Sequence, residues 1–138
     1  MSDVVLIDIF AGAGGLTEGF LRSGYTFVSH IEMDRNAIQT LETRGLYHHL
    51  QRNGDPEDYT EYVNGEIGRE ELFGRYPDFD SELYMNIELT EENRDMVIET
   101  IRSKMNDMGA VSVDGIIGGP PCQAYSYAGR SRKNMEND

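Results

Sequence analysis

An α/β fold, a mostly parallel sheet flanked by helices, is predicted by three observations. The chain opens on a β-branched apolar run of strand length, VVLIDIF at 4–10. A glycine-rich turn, AGAGG at 11–15, follows at once, and apolar residues then recur at helical spacing. The alternation repeats, with YTFVSHIE at 25–32 as a second strand and residues 35–45 as a second helix. Strand–turn–helix–strand–helix is a βαβ unit, whose crossover is expected to be right-handed.

The elements follow in order. A run that is apolar on both faces reads as a buried parallel strand. Leu16, Phe20 and Leu21 form the apolar stripe of the first helix, and Gly24 sits where a C-cap belongs. Asp34 is placed to cap the second helix, whose stripe is Ala37, Ile38 and Leu41 and whose end is expected at Gly45. Residues 46–112 read as an acidic helical insertion carrying a weak third strand, LYMNIEL at 83–89. Within it, EDYTEYV and REELFGRY are short helical patterns set between glycines and prolines. Thr90 offers the N-cap of the next helix, with Glu91 and Glu92 favourable to its dipole. That helix buries Val97, Ile101, Met105 and Met108, with Ile98 beside them. DGIIGG at 114–119 is a last short strand, and PPC opens the loop beyond it.

A length of 138 residues suits one domain with a single sizeable core. No apolar run reaches membrane-spanning length, and the first residues lack the basic region and cleavage site of a signal peptide. One cysteine cannot make an internal disulfide, which fits a reducing cytoplasm. His48 and His49 have no ligand spacing around them and read as a solvated pair at a helix end. The net charge of −13 argues against this stretch alone gripping nucleic acid. The acid lies mostly between Asp55 and Asp107, whereas Arg130, Arg132 and Lys133 are basic.

In an open α/β sheet a ligand sits at the carboxyl ends of the strands, where the strand order reverses. FAGAGG occupies that place after strand one. Glu32 ends strand two, twenty residues after Gly12, where a carboxylate can accept hydrogen bonds from both ribose hydroxyls. A dinucleotide fingerprint would want a third glycine at position 17, which is threonine, and there is no P-loop lysine. A nucleoside-bearing ligand and a plain tight turn both fit this segment. Phe10 and Met33 read either as flat apolar contacts to that ligand or as core.

Cys122 stands in GGPPCQAYS after the last strand, facing the same cleft. Two prolines restrict the backbone to extended conformations and set the direction in which the thiol emerges. A free thiol needs nearby donors or positive charge to become a good nucleophile. Thiolate addition to C6 of cytosine makes C5 nucleophilic, so that C5 can take a methyl group from a sulfonium. The base must first leave the duplex stack.

FAGAGGLTEGF, IEMD and GGPPCQAYS together resemble the cytosine-specific C5 DNA methyltransferase family, in order and spacing, over residues 3–45 and 113–130. The resemblance implies a Rossmann-like, S-adenosyl-L-methionine-dependent methyltransferase fold and double-stranded DNA as substrate. It implies that Phe10, Ala11, Gly12, Gly14 and Gly15 line the cofactor, with Phe10 and Met33 on opposite faces of the adenine and Glu32 on the ribose. The family's acid after strand three is matched nearest by Glu88-Leu89, with Asp55 as a rival. Pro121, Cys122 and Gln123 match the catalytic motif, with Pro121 at the cofactor and Cys122 as nucleophile. Gln123, Ser126 and Arg130 would belong to the loop that closes over DNA. The family's Glu-Asn-Val motif and target-recognition region do not occur in these 138 residues. The chain is therefore expected to be the N-terminal portion of a catalytic domain, inactive alone. Its last strand is expected at an exposed edge, inviting a complementary C-terminal half or self-association. A non-catalytic nucleoside-binding module is the alternative; a nicotinamide or flavin oxidoreductase gives Pro-Pro-Cys-Gln no role.

Overall fold

The computed structural model describes residues 4–121. In chain order they form β1 (Val5–Ile9), α1 (Gly15–Arg22), β2 (Thr26–Glu32), α2 (Arg35–Asn53), α3 (Pro56–Val63), α4 (Arg69–Gly74), a 3₁₀ turn (Ser81–Leu83), β3 (Tyr84–Asn86), α5 (Arg94–Met108) and β4 (Gly115–Gly118). The strands lie in the order β3-β2-β1-β4, each neighbouring pair parallel. The order reverses beside β1, so the switch point lies between the exits of β1 and β4. Among the described residues β4 is an outer strand, as expected, and no helix is long and apolar enough to cross a membrane.

One face of the sheet packs on α5. Val5, Ile7 and Val28 are buried there against Ile101, Met105 and Met108. On another side Ala11 meets Ile38 and Leu41 of α2. A third cluster, Leu46, Leu50 and Leu72, is walled by aromatic rings that include Tyr59, Phe73 and Phe79. The insertion thus has an apolar centre of its own, built on the second half of α2.

That second half is where the structure departs from the sequence reading. Helix α2 does not end at Gly45 but runs on to Asn53. Glycine in a helix interior costs roughly 0.5–1 kcal/mol relative to alanine, yet here it admits a ring. A Cβ at position 45 would lie 1.8 Å from the Tyr84 hydroxyl oxygen. The helix continues because Leu46 and Leu50, one turn apart, both find burial. His48 and His49 are consequently not a solvated pair. His48 Nε2 lies 2.7 Å from Glu18 and His49 Nε2 lies 3.1 Å from Asp78. Arg44 donates two hydrogen bonds to Glu18, and with His48 it holds that carboxylate at a pKa of about 2.

Smaller departures have local causes. The third strand is three residues, Tyr84–Asn86, rather than seven. Thr90 does not cap α5 directly. Its hydroxyl accepts from Asn93 N–H while Asn93 Oδ1 accepts from Thr90 N–H, and the helix starts after Asn93. In α1 the buried residue is Thr17, whereas Leu16 is exposed. Asp34 caps α2 as expected, accepting from Ala37 N–H at 2.8 Å.

Replacing Gly45 by alanine is expected to destabilise the fold by about 1–3 kcal/mol, the usual cost of overpacking. Tyr84→Phe in the same chain should recover part of that loss. Urea denaturation measures both, and a Gly45→Ala protein as stable as its parent would contradict the contact.

Candidate functional site

Because all four strands are parallel, their carboxyl ends share one rim. At that rim β1 passes into Phe10, which takes a positive φ of 52°. A phenylalanine in the left-handed region is an outlier that its surroundings must hold. Ala11 N–H donates to Ile31 C=O at 3.1 Å, which prolongs the β1–β2 pairing past Phe10. Gly12 N–H donates to Glu32 Oε2 at 2.8 Å, and Asp34 N–H donates to Glu32 Oε1 at 3.0 Å. One carboxylate thereby fastens the glycine turn to the start of α2. A carboxylate offers about four lone-pair positions, so Glu32 keeps acceptor capacity toward a ligand.

Beside this anchor is a cavity of about 210 Å³. Phe10, Met33 and Pro121 line it together with the aliphatic side chains of Ile31, Ile87 and Leu89. Glu32, Glu88 and Gly119 complete the lining. Phe10 and Met33 are large apolar residues left exposed, 38 % and 63 %. The arrangement presents apolar surfaces with two carboxylates among them. That suits a ligand with a flat apolar body and several hydrogen-bond donors.

Three elements bring these residues together. Asn86 Nδ2 donates to the carbonyls of Glu32 and Met33, and Ile87 N–H donates to Glu32 C=O, so the end of β3 is tied to the end of β2. On the other side Gly118 lies hard against β1. A Cβ there would stand 2.0 Å from Ile9 C=O, and only glycine lets β4 deliver Gly119 and Pro121 to the same cavity. Asp114 anchors the far end of this pair, accepting from Val5 N–H at 2.7 Å and donating its own N–H to Val5 C=O.

Of the residues singled out from the sequence, Phe10, Glu32, Met33, Glu88, Leu89 and Pro121 share this cavity. Asp55, the rival to Glu88, instead caps α3 by accepting from Glu57 N–H. Gly12 joins through its bond to Glu32, and Ala11 packs in the core with Ile38 and Leu41. Gly14 and Gly15 line a neighbouring groove between α1 and α2. The arginines of that groove are paired internally, Arg22 and Arg44 with Glu18 and Arg69 with Glu42. Cys122, Gln123, Ser126 and Arg130 lie outside the described residues. Ile31, Ile87 and Gly119 were not singled out from the sequence. Gly119 had a signal in the doubled glycine before the prolines, whereas Ile87 had none beyond its apolar character.

The model of the C-5 cytosine-specific DNA methylase family matches residues 4–68 and 79–138. The chain is 38 % identical to the type II methyltransferase M.Bpa9945I of Bacillus paralicheniformis, over 94 % of this chain and 33 % of that one. It is 28 % identical to the type II methyltransferase M.DdeI of Desulfomicrobium norvegicum, over 96 % of this chain and 22 % of that one. It is 27 % identical to the type II methyltransferase M.AquIA of a Picosynechococcus, over 96 % and 37 % respectively. The chain thus spans roughly a fifth to two fifths of the length of these curated relatives. No solved structure matches it.

Glu32→Ala removes the shared acceptor of two backbone donors. Hydrogen bonds to charged groups contribute about 1.5–3 kcal/mol, so amide exchange at Gly12 and Asp34 is expected to accelerate at least tenfold. Amides in the interior of β1 should be affected less. Unchanged exchange at both positions, followed by NMR, would remove Glu32 as the fastener of the turn.

Proposed function

The chain belongs to the C-5 cytosine-specific DNA methylase family, and on that premise we propose that its rim cavity holds S-adenosylmethionine and that Cys122 is the nucleophile for methylating cytosine C5 in double-stranded DNA. The observation that carries this reading is the composition of one cavity. It contains Phe10 after the first strand, Glu32 after the second, Glu88 after the third, and Pro121, the residue bonded to Cys122.

The residues fit the cofactor by chemistry. Phe10 and Met33 are the exposed apolar surfaces between which an adenine ring would lie, with Ile31, Ile87 and Leu89 beneath. Glu32, already anchored by two N–H groups, would accept from the ribose hydroxyls. Glu88 makes no side-chain hydrogen bond to another described residue, which leaves its carboxylate to accept from the adenine amino group. When bound, S-adenosylmethionine supplies an electrophilic methyl group on a sulfonium.

The chain's own part in the reaction centres on Cys122. Its thiolate forms a bond to C6 of the extruded base, and the electron pair of the C5–C6 double bond becomes available at C5. After methylation, loss of the C5 proton restores that double bond and expels the thiolate. Pro120 and Pro121 restrict the backbone that leads to Cys122. Gln123, Ser126 and Arg130 would be the residues that meet the DNA.

The N-terminal portion of a catalytic domain is what these 138 residues constitute in this reading. Glu-Asn-Val, which would supply the acid at cytosine N3, is not among them, and a net charge of −13 is the wrong sign for a DNA surface. A complementary C-terminal portion therefore provides the acid, the target-recognition surface and the positive charge. Its place is beside β4, where Ile116 is 64 % exposed and Ile98 borders an apolar groove between α5 and the sheet. Without that portion, the same edge promotes self-association.

Two measurements test this reading. Labelled methyl transfer to cytosine is expected only when the C-terminal portion of a longer relative is supplied, and 5-fluorocytosine DNA should then be trapped on the parent but not on Cys122→Ser. Transfer by the 138-residue chain alone, or trapping on Cys122→Ser, contradicts it. In sedimentation, the chain is expected to associate as its concentration rises and Ile116→Lys to keep it monomeric. A parent that stays monomeric at high concentration removes the edge argument.

A further inference from the structure

Beneath the rim lies a buried polar group that ligand contacts leave unexplained. Asp8 sits inside an otherwise apolar strand and is fully buried. Thr17 of α1 donates its hydroxyl hydrogen to Asp8 Oδ2, and His30 of β2 brings Nδ1 to 3.3 Å from the same hydroxyl oxygen. Both residues are almost fully buried. The other Asp8 oxygen, Oδ1, has no partner among the described residues. A buried carboxyl with so few partners is costly, and apolar packing alone does not account for it.

The pairing register explains how these three residues meet. Leu6 pairs with Phe27 but Ile7 pairs with Ser29, so β2 bulges at Val28. The extra residue turns Phe27 and His30 to one face, where their rings lie 4.7 Å apart. His30 also stacks on Tyr84 at 4.8 Å. Burial holds the imidazole below its ordinary pKa, an effect that Asp8 partly opposes. Of the groups facing His30, Asp8 on β1 is the carboxyl, at 4.0 Å; Thr17 on α1 and Tyr84 on β3 are hydroxyl side chains.

Each member lies just behind a part of the cavity. Asp8 precedes Phe10 by two residues, Thr17 is in the first turn of α1 just after the glycine turn, and His30 precedes Glu32 by two. We propose that Asp8, Thr17 and His30 are positioning residues, a single buried hydrogen-bond chain that locks β1, α1 and β2 together and so holds Phe10 and Glu32 at the spacing the nucleoside requires. His30 Nδ1–H donates to Thr17 Oγ, and Thr17 Oγ–H donates to Asp8. The strained backbone at Phe10 is what such a lock must hold. This inference rests on the cavity being the S-adenosylmethionine site.

The test is calorimetric titration of the 138-residue chain with S-adenosylhomocysteine, paired with thermal melting. Asp8→Leu with Thr17→Val replaces the hydrogen-bonded pair by apolar groups, an exchange that can be nearly neutral in stability, while taking from His30 Nδ1 its hydroxyl partner. Affinity is nevertheless expected to fall about ten- to a hundredfold, since each loss of about 1.4 kcal/mol of contact between the displaced rim and the nucleoside is tenfold. Thr17→Ser, which keeps the hydroxyl, should bind like the parent, and Thr17→Ala should not. If the double variant does not fold, that last comparison decides. A folded double variant, or Thr17→Ala, binding as tightly as the parent overturns the positioning role alone. A parent chain that binds no S-adenosylhomocysteine overturns the cofactor reading and this inference with it.

Discussion

The bridge from Glu32 to the backbone of Gly12 and Asp34 is the interaction on which the rim depends. β1 and β2 leave the sheet side by side, and nothing in parallel pairing requires the segments beyond them to stay together. A carboxylate is one of the few side chains able to hold both. It accepts from two loops at once, and a charge-assisted hydrogen bond is roughly twice as strong as a neutral one. With those loops fastened, Phe10 and Met33 are kept on the surface of one cavity instead of collapsing onto the apolar core.

The same sheet is stiffened from below and trimmed from the side. Below, polar side chains replace apolar packing where β1, α1 and β2 converge, and a bulge in β2 aims His30 at them. At the side, Gly118 admits the Ile9 carbonyl where any larger residue would push β4 away. Both devices sacrifice apolar contact for placement. That is the expected trade where a fold must present groups to a ligand rather than only bury them.

The acidic middle of the chain has a structural account that net charge conceals. Arg75 pairs with Asp58, Glu61 and Glu71, and Lys104 bridges Asp80 and Glu82. Such pairs contribute little individually at a surface, but they keep like charges from driving apart α3, α4 and the segment leading into β3. The insertion therefore rests on α2 as a small apolar cluster of its own, away from the cavity that carries the family resemblance.

The first βαβ unit, the Asp34 cap and the position of Glu32 at a strand end were legible in the sequence, because each depends on residues close together along the chain. Apolar spacing sets a helix face, a side-chain oxygen caps the N–H groups three residues on, and a glycine turn after a strand recurs in a fixed order. The end of α2, the burial of Thr17, the pairing of His48 and His49, and the place of Glu88, not Asp55, at the cavity were not legible. Each is settled by a partner far along the chain: Tyr84 against Gly45, Asp8 against Thr17, Glu18 against His48, and β3 pairing beside β2. Sequence alone determined which elements form and the order of the functional motifs, because propensity and periodicity act locally. Tertiary structure alone decided which side chains share the cavity, because a one-residue bulge or a missing Cβ redirects neighbours that no local pattern connects.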